Sequence, residues 1–407
     1  MDASIFARIL SDKGVTNLKK LGYKYPGVDM KELVELFRSS VYTTLPIRVF
    51  DGNDVVYMNN IAQYRMNTVK LLLMPKNTHG SFGLKAMEDE IASTLTIESI
   101  DFNRDSVRKI LQGYAPSDEQ ENCIFGLKKG LEFIAEPSNA ISEDSIFALY
   151  DMAIGRYLDG EDRLAPGEKY RNDSVFVMGQ DIEHTGLSHH KLPEYMNRFV
   201  DFVERDSPMN DMLKAAVVHF YLAYLHPYFD GNGRMARLMH MWFLRQQGYS
   251  SALFIPFSSY IERSRKHYYN AFTLCEENAK ISNVMDVTPF LVYFIEHVYD
   301  KLKDSVPQPD TLRIFGEALE NGSITAKEKD LWNFALSAYG DGEFSTKQLE
   351  RDFGNAAYAT IRGFVLKFSE LGILTAHNYG NRVKYSVSSR RNLCTLRSAR
   401  GLCTHNP

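Results

Sequence analysis

Within twelve residues, HPYFDGNGRMAR from His226 to Arg237, the chain places a histidine, an aspartate next to a glycine pair, an asparagine and two arginines. An imidazole with an ordinary pKa of about 6.5 can take a proton from an attacking hydroxyl near neutral pH without help from a metal. Gly231 and Gly233 permit backbone conformations that other residues resist, so successive N–H groups can curl into an anion-binding nest. Phosphate is the natural ligand of such a nest where it runs into a helix, here expected to begin near Arg234. Asp230 can hold Mg2+, a hard cation that takes carboxylate and phosphate oxygens together. Asn232 can donate its amide N–H to a phosphate oxygen. Arg234 and Arg237 are three residues apart and share one face of the first helical turn, where two planar guanidinium groups can grip phosphate in bidentate fashion. The alternative is a glycine-rich turn in which His226 and Asp230 are only turn and cap residues. The full string favours the phosphate site, since most of its positions have a specific chemical task and no rival P-loop signature occurs in the chain.

Such a site needs two helices meeting at a corner. Asp211 to Leu225 reads as a helix of nearly continuous apolar character, hence central and buried. Pro227 disfavours the helical conformation at His226, so the helix should stop there with the imidazole at its end. A second helix runs through Met239, Met241, Trp242 and Leu244 to a stop at Gly248. Around this pair the chain from Glu88 to Val298 has an almost wholly helical pattern, interrupted at Pro137, Pro166-Gly167, Pro193 and Pro208. Tyr170 to Met178 is the exception. Its Val175, Phe176, Val177 run is β-prone and predicts a hairpin that serves as a lid, a docking edge or a purely structural element.

The first 85 residues read as a separate N-terminal module of unassigned role, with a helix over Asp29 to Val41 and a hairpin over Leu45 to Met58 whose tip is Asp51-Gly52-Asn53. Residues 303–311, with Pro307 and Pro309, read as a linker. Two helices, Ser345 to Phe353 and Ala356 to Leu371, precede strand-like Ile373 to His377 and Val383 to Val387, the element order of a winged helix-turn-helix over residues 312–390. A basic tail, 391–407, closes the chain. Lys347, Arg362 and Lys367 could meet nucleic-acid phosphates, although Glu350, Asp352 and Glu370 dilute their charge.

A chain of 407 residues exceeds one hydrophobic core, so two or three domains are expected. Apolar residues at 44% and charged residues at 24% are ordinary for a globular protein, and a net charge of -4 argues against a wholly basic nucleic-acid coat. Four scattered cysteines without a C-x-x-C pair give neither a disulfide framework nor a zinc site, and a reducing cytoplasm fits them best. No basic-then-apolar leader and no long apolar stretch occur, so neither secretion nor membrane insertion is expected. His219, two helical turns before His226, reads as a buried structural histidine rather than a metal ligand.

The string from His226 to Arg237 resembles the signature of the Fic family, with Tyr228 where phenylalanine is usual, and the resemblance extends over the helical region, about half of the chain. It implies a mainly α fold, a Fic-type helical domain over residues 86–302 with a β-hairpin flap at Tyr170 to Met178, joined to a C-terminal winged helix. It also implies protein adenylyltransferase activity, the transfer of AMP from ATP to a Ser, Thr or Tyr hydroxyl of a target protein docked on the flap, or of the chain itself. On that analogy His226 is the catalytic base, Asp230 binds Mg2+, and Gly231, Asn232, Gly233, Arg234 and Arg237 hold the triphosphate. His267-Tyr268-Tyr269-Asn270 resembles the segment bordering the base, where Tyr268 and Tyr269 would face adenine. Core packing is the alternative for both rings.

Thr94 and Glu98 share a helix face and resemble the family's inhibitory motif of Ser or Thr, three residues, Glu, then Gly or Asn, with Ser99 in the last place. Glu98 would then pair with Arg237 in place of the γ-phosphate and brake the reaction. In some relatives the same carboxylate activates water to remove AMP. Other expectations are a homodimer and nucleic acid at the winged helix. The competing functions are transfer from another diphosphate-containing donor, AMP removal, or a DNA-binding regulator whose helical domain senses a nucleotide.

Overall fold

The computed structural model describes residues 1–49, 52–66, 84–178, 182–249, 252–253, 255–304, 309–339, 342–353 and 356–388. The chain opens with α1 (Ala3–Leu10), α2 (Leu18–Lys24), α3 (Met30–Ser40), β1 (Tyr42–Arg48), β2 (Asp54–Met58) and α4 (Asn59–Met66). A helical series follows: α5 (Leu84–Ile97), α6 (Arg104–Leu111), α7 (Glu119–Ala135) and α8 (Glu143–Ala153). After the hairpin β3 (Phe176–Met178) and β4 (Ile182–Thr185) come α9 (Leu192–Glu204), α10 (Asp211–Leu225), α11 (Asn232–Gln246), α12 (Phe257–Arg263) and α13 (Arg265–Ser282). The short strand β5 (Met285–Asp286) and α14 (Thr288–Tyr293) lead to the C-terminal α15 (Pro309–Glu320), α16 (Ala326–Tyr339), α17 (Thr346–Phe353), α18 (Tyr358–Glu370), β6 (Leu374–Tyr379) and β7 (Arg382–Val387). No helix among the described residues is long and apolar enough to cross a membrane.

The elements form two compact units. In the larger one α10 is buried from Met212 to Leu222, as its unbroken apolar run requires, and it packs along α11 with α7, α9 and α14 around the pair. Phe220, Phe272 and Phe290 fill the space between α10, α13 and α14 with ring centroids 4.6 to 5.1 Å apart. Asn210 caps α10, and Ser142 forms a capping box with Ser145 at α8, so both helices start where their side chains satisfy the first N–H groups. Pro193 does not interrupt this series. It sits in the first turn of α9, where a missing N–H costs nothing.

The N-terminal residues do not stand apart as a module. α1, α2 and α3, capped by Asp2, Asn17 and Asp29, close over Ile9, Leu18, Leu21, Leu33 and Phe37, and β1 pairs antiparallel with β2 from Tyr42 opposite Met58. The outer edge of β2 pairs in parallel with β5, Val55 opposite Met285, giving the order β1-β2-β5. An isolated hairpin is marginal and its edge unpaired, so the late two-residue strand binds residues 1–66 into the helical unit. Asn278 on α13 strengthens the join by accepting from Leu18 N–H at 3.1 Å and donating to Thr16 C=O at 2.9 Å. The hairpin tip expected at residues 51–53 lies partly outside the described residues.

The smaller unit packs α15 to α18 and the β6-β7 hairpin around Trp332, Phe315, Phe364 and Phe368. α17, α18 and the hairpin follow in the expected order, but the strands reach Tyr379 and Arg382, leaving a tighter turn than expected. Pro309 opens α15, so the helix extends back into the expected linker 303–311, of which 305–308 lie outside the described residues along with the basic tail 391–407. Lys367 pairs with Glu328 at 2.8 Å and Lys384 with Glu343 at 3.5 Å, so part of the positive charge available to a nucleic acid is already neutralised.

The larger unit's core makes a pH prediction. His240 and His219 are fully buried, and burial holds His240 down to about 3 and His219 well below 6.5. Each is neutral in the fold and charged when unfolded, so its contribution is lost as pH falls below about 6.5. Burial also raises Glu90 to about 7 and Asp286 to about 6, and these acids stabilise the fold as pH falls toward 4.5. The two effects offset between about pH 7 and 4.5. Below that the histidines dominate, each by up to about 1.4 kcal/mol per pH unit, and carboxyls held below their ordinary value, Glu98 and Glu121 among them, add to the loss as they protonate. Thermal unfolding should therefore be nearly flat from pH 7 to about 5 and steep below about 4.5. A flat profile to pH 3.5 would contradict the assignment.

Candidate functional site

His226 ends α10 in the left-handed region at φ 53°, a conformation costing a non-glycine residue about 1–2 kcal/mol. The surroundings fix it there. His226 N–H donates to Leu222 C=O at 3.1 Å. Its own C=O accepts from Arg171 Nε at 2.7 Å, while Arg171 N–H donates to Pro227 C=O at 3.0 Å. Arg171 is 2% exposed and also donates to the carbonyls of Leu187 and Asp173, so one buried guanidinium ties both ends of the β3-β4 hairpin to the histidine. Burial draws its pKa down to about 10. His226 Nδ1 lies 3.3 Å from Ala223 C=O, and a proton donated there leaves the lone pair on Nε2.

Gly231 turns the loop into α11 at φ 83°, and a Cβ there would sit 2.5 Å from Ile154 Cγ2. α11 starts at Asn232, two residues earlier than the sequence suggests. Asn232 does not reach outward toward a ligand. Its Oδ1 accepts from Tyr228 N–H at 3.0 Å and its Nδ2 donates to Tyr228 C=O at 2.8 Å, so the buried amide shapes the nest from behind. No side chain caps α11, which leaves its first-turn N–H groups for an anion.

Tyr228 stacks on Tyr150 with ring centroids 3.5 Å apart, and its hydroxyl is buried without a hydrogen-bond partner. Leaving a polar group unmet costs about 1–3 kcal/mol. Tyr228→Phe keeps the stack and removes the orphan hydroxyl, so it should raise the unfolding free energy by about 1 kcal/mol. A lower melting temperature for Tyr228→Phe would contradict this.

Arg234 and Arg237 are both buried, 3% and 2% exposed. Arg234 pairs with Asp230, whose side chain remains 49% exposed, and it also reaches Cys123 Sγ at 3.8 Å. Arg237 donates through Nε to Thr94 Oγ1 at 2.7 Å and through its terminal nitrogen to Glu98 Oε1 at 2.5 Å. That carboxylate rests on the first turn of α11, and a Cβ at Gly233 would collide with it, so glycine is what admits the contact. Burial pushes the Glu98 carboxyl up, but Arg237, with Arg234 and Arg265 beyond it, outweighs burial and holds it below its ordinary value.

A cleft of about 180 Å³ gathers His226, Gly233, Arg237, Glu98, Tyr268 and Tyr269 on its walls. The two tyrosines differ. Tyr268 is buried, its hydroxyl 2.8 Å from His219 Nε2, so it is chiefly core and its ring is fixed. Tyr269 is 41% exposed and offers a face to the cleft. Among the described residues no group of three or more His, Cys, Asp or Glu could hold a metal. Asp230 nonetheless suits Mg2+, which binds through one or two carboxylates together with water and substrate phosphate.

Residues 140–244 match the model of the Fic/DOC family. A relative named protein adenylyltransferase Fic from Drosophila willistoni is 29% identical over 190 residues, covering 46% of this chain and 34% of its own. One of the same name from Culex quinquefasciatus is 25% identical over 226 residues, covering 53% of this chain and 41% of its own. The chain thus spans less than half the length of these relatives. A Fic family protein from Desulfovibrio desulfuricans aligns in structure with a TM-score of 0.45 and 19% identity, covering 75% of this chain and 87% of that one.

Proposed function

From the Fic/DOC-family domain that this chain carries, we propose that the protein is an adenylyltransferase that transfers AMP from ATP to a protein hydroxyl and is held back by Glu98. The observation that carries this reading is the ion pair of Glu98 with Arg237, set on the first turn of α11 in the same cleft as His226. A carboxylate bound to an uncapped helix start and a buried arginine occupies a place fit for a phosphate.

In the proposed reaction the acceptor hydroxyl gives its proton to His226 Nε2 and its oxygen bonds to the α-phosphorus. The bond from that phosphorus to the bridging oxygen breaks, and pyrophosphate leaves. Arg237, once released from Glu98, and the N–H groups at the start of α11 hold the outer phosphates, and Arg234 holds Asp230 in place. Mg2+, carried by Asp230 together with the phosphates, would neutralise their charge. The acceptor peptide would lie along the β3-β4 hairpin, which Arg171 anchors to the histidine.

The test is label transfer from ATP carrying ³²P at either the α- or the γ-phosphate, with Mg2+ and the Glu98→Gly variant. Protein-bound label from the α-phosphate alone supports AMP transfer. Label from the γ-phosphate, or none from either, rejects it.

A further inference from the structure

We infer that Arg265 is the positioning residue that holds the Glu98-bearing turn against α11, and that Ser99 functions at that turn because Arg265 grips it. The inference rests on the reading of the site proposed above and adds how the brake is kept in place.

Arg265 is the first residue of α13, where the helix dipole disfavours a cation, and Ser264 before it makes no cap. Its guanidinium instead serves another helix. It donates to Thr96 C=O at 3.4 Å and to Ser99 Oγ at 3.3 Å, both at the end of α5. A helix end presents unsatisfied carbonyls and negative potential, so a cation is favoured there. The same potential disfavours the Glu98 carboxylate that follows α5, and Arg265 is one of three arginines whose charge acts on it.

Ser99 makes this contact specific. Its backbone has φ 58°, a left-handed conformation that glycine takes freely and asparagine tolerates, but that costs serine about 1–2 kcal/mol. Glycine would offer Arg265 no side-chain acceptor, whereas the serine hydroxyl does. The strained turn and the arginine therefore form a matched pair. The guanidinium also lies 5.8 Å from the ring centroid of Tyr269, which lines the cleft, so one cation touches both the braking turn and the cleft wall. A group that settles against Tyr269 competes for the arginine that steadies Glu98.

The experiment uses the full chain with Arg265→Gln, Arg265→Lys and Ser99→Gly, alone and combined with Glu98→Gly. Two signals are read, hydrogen exchange in the peptide from Thr94 to Ile100 and label transfer from α-³²P-ATP. Arg265→Gln should speed exchange in that peptide about tenfold and raise transfer by a similar factor, with Arg265→Lys between it and the native protein. In the Glu98→Gly background the same substitution should leave transfer within roughly twofold, because no brake remains to position. Ser99→Gly, which relieves the left-handed cost, should remove most of the effect of Arg265→Gln on exchange, and this comparison holds even where Arg265→Gln is less stable overall. Unchanged exchange in Arg265→Gln overturns the inference, as does an equal rise in transfer with and without Glu98. If exchange responds but Glu98→Gly fails to raise transfer, the brake is rejected and the hold on the turn stands.

Discussion

Replacing His226 in the Glu98→Gly protein is expected to lower AMP transfer by roughly a hundred- to ten-thousandfold, the range that a positioned general base contributes. The choice of substitute matters because the position is left-handed. Alanine there would add backbone strain to the loss of the imidazole, so His226→Ala should also lose about 1 kcal/mol of stability. Asparagine accepts the left-handed region more readily and cannot act as a base at neutral pH. His226→Asn should therefore match His226→Ala in lost transfer while keeping a melting temperature closer to the parent. ATP binding should persist in both, since the outer phosphates are assigned to Arg237 and the N–H groups at the start of α11. Transfer that survives in His226→Asn would remove the imidazole from the chemistry.

The second large effect is release of the brake. Glu98→Gly should raise transfer by about tenfold or more, each tenfold corresponding to about 1.4 kcal/mol of competition removed from the phosphate site. It should also strip the Arg237 guanidinium, 2% exposed, of its paired carboxylate, leaving it Thr94 and the more distant buried Glu90. A buried charge that loses its partner is costly, so the variant should melt lower than the native chain without nucleotide and gain more from ATP with Mg2+, whose phosphates supply the missing charge. Glu98→Gln retains an acceptor but no charge and should fall between the two. If Glu98→Gly binds ATP no better and transfers no faster, the carboxylate is not the obstacle.

These residues were legible in the sequence to unequal degrees. His226, Gly231, Gly233, Arg234 and Arg237 stand out because phosphate chemistry needs those residue types close together in the chain. Asn232 was visible, but its bonding to its own loop was not. Its amide can bond a phosphate or its own loop equally well, and only coordinates reveal that Tyr228 uses both ends. Arg171 left no pattern, because it acts on backbone carbonyls as far as 55 residues away. The pairing of β2 with β5 was hidden for another reason, since a two-residue strand cannot display an alternating period. The first 85 residues therefore read as a separate module. The hairpin was foreseen at Tyr170 to Met178, yet its first strand starts only at Phe176; before it, Val175 C=O accepts from Gly186 N–H and Asp173 C=O is held by Arg171.

The parallel strand pair also sets a timetable for synthesis. Met58 N–H finds its acceptor on Thr288, 230 residues later. At roughly 5–20 residues per second, a ribosome delivers that partner on the order of ten to fifty seconds after β2 has emerged. During that interval the nascent hairpin exposes the edge of β2 that β5 will cover, and the three small helices before it can gather around Phe37 without a finished sheet to lie on. The larger unit is thus closed from its far end, with β5 as the last strand to dock. Chaperone demand for this protein should concentrate in that window and should ease once residue 288 has cleared the exit tunnel.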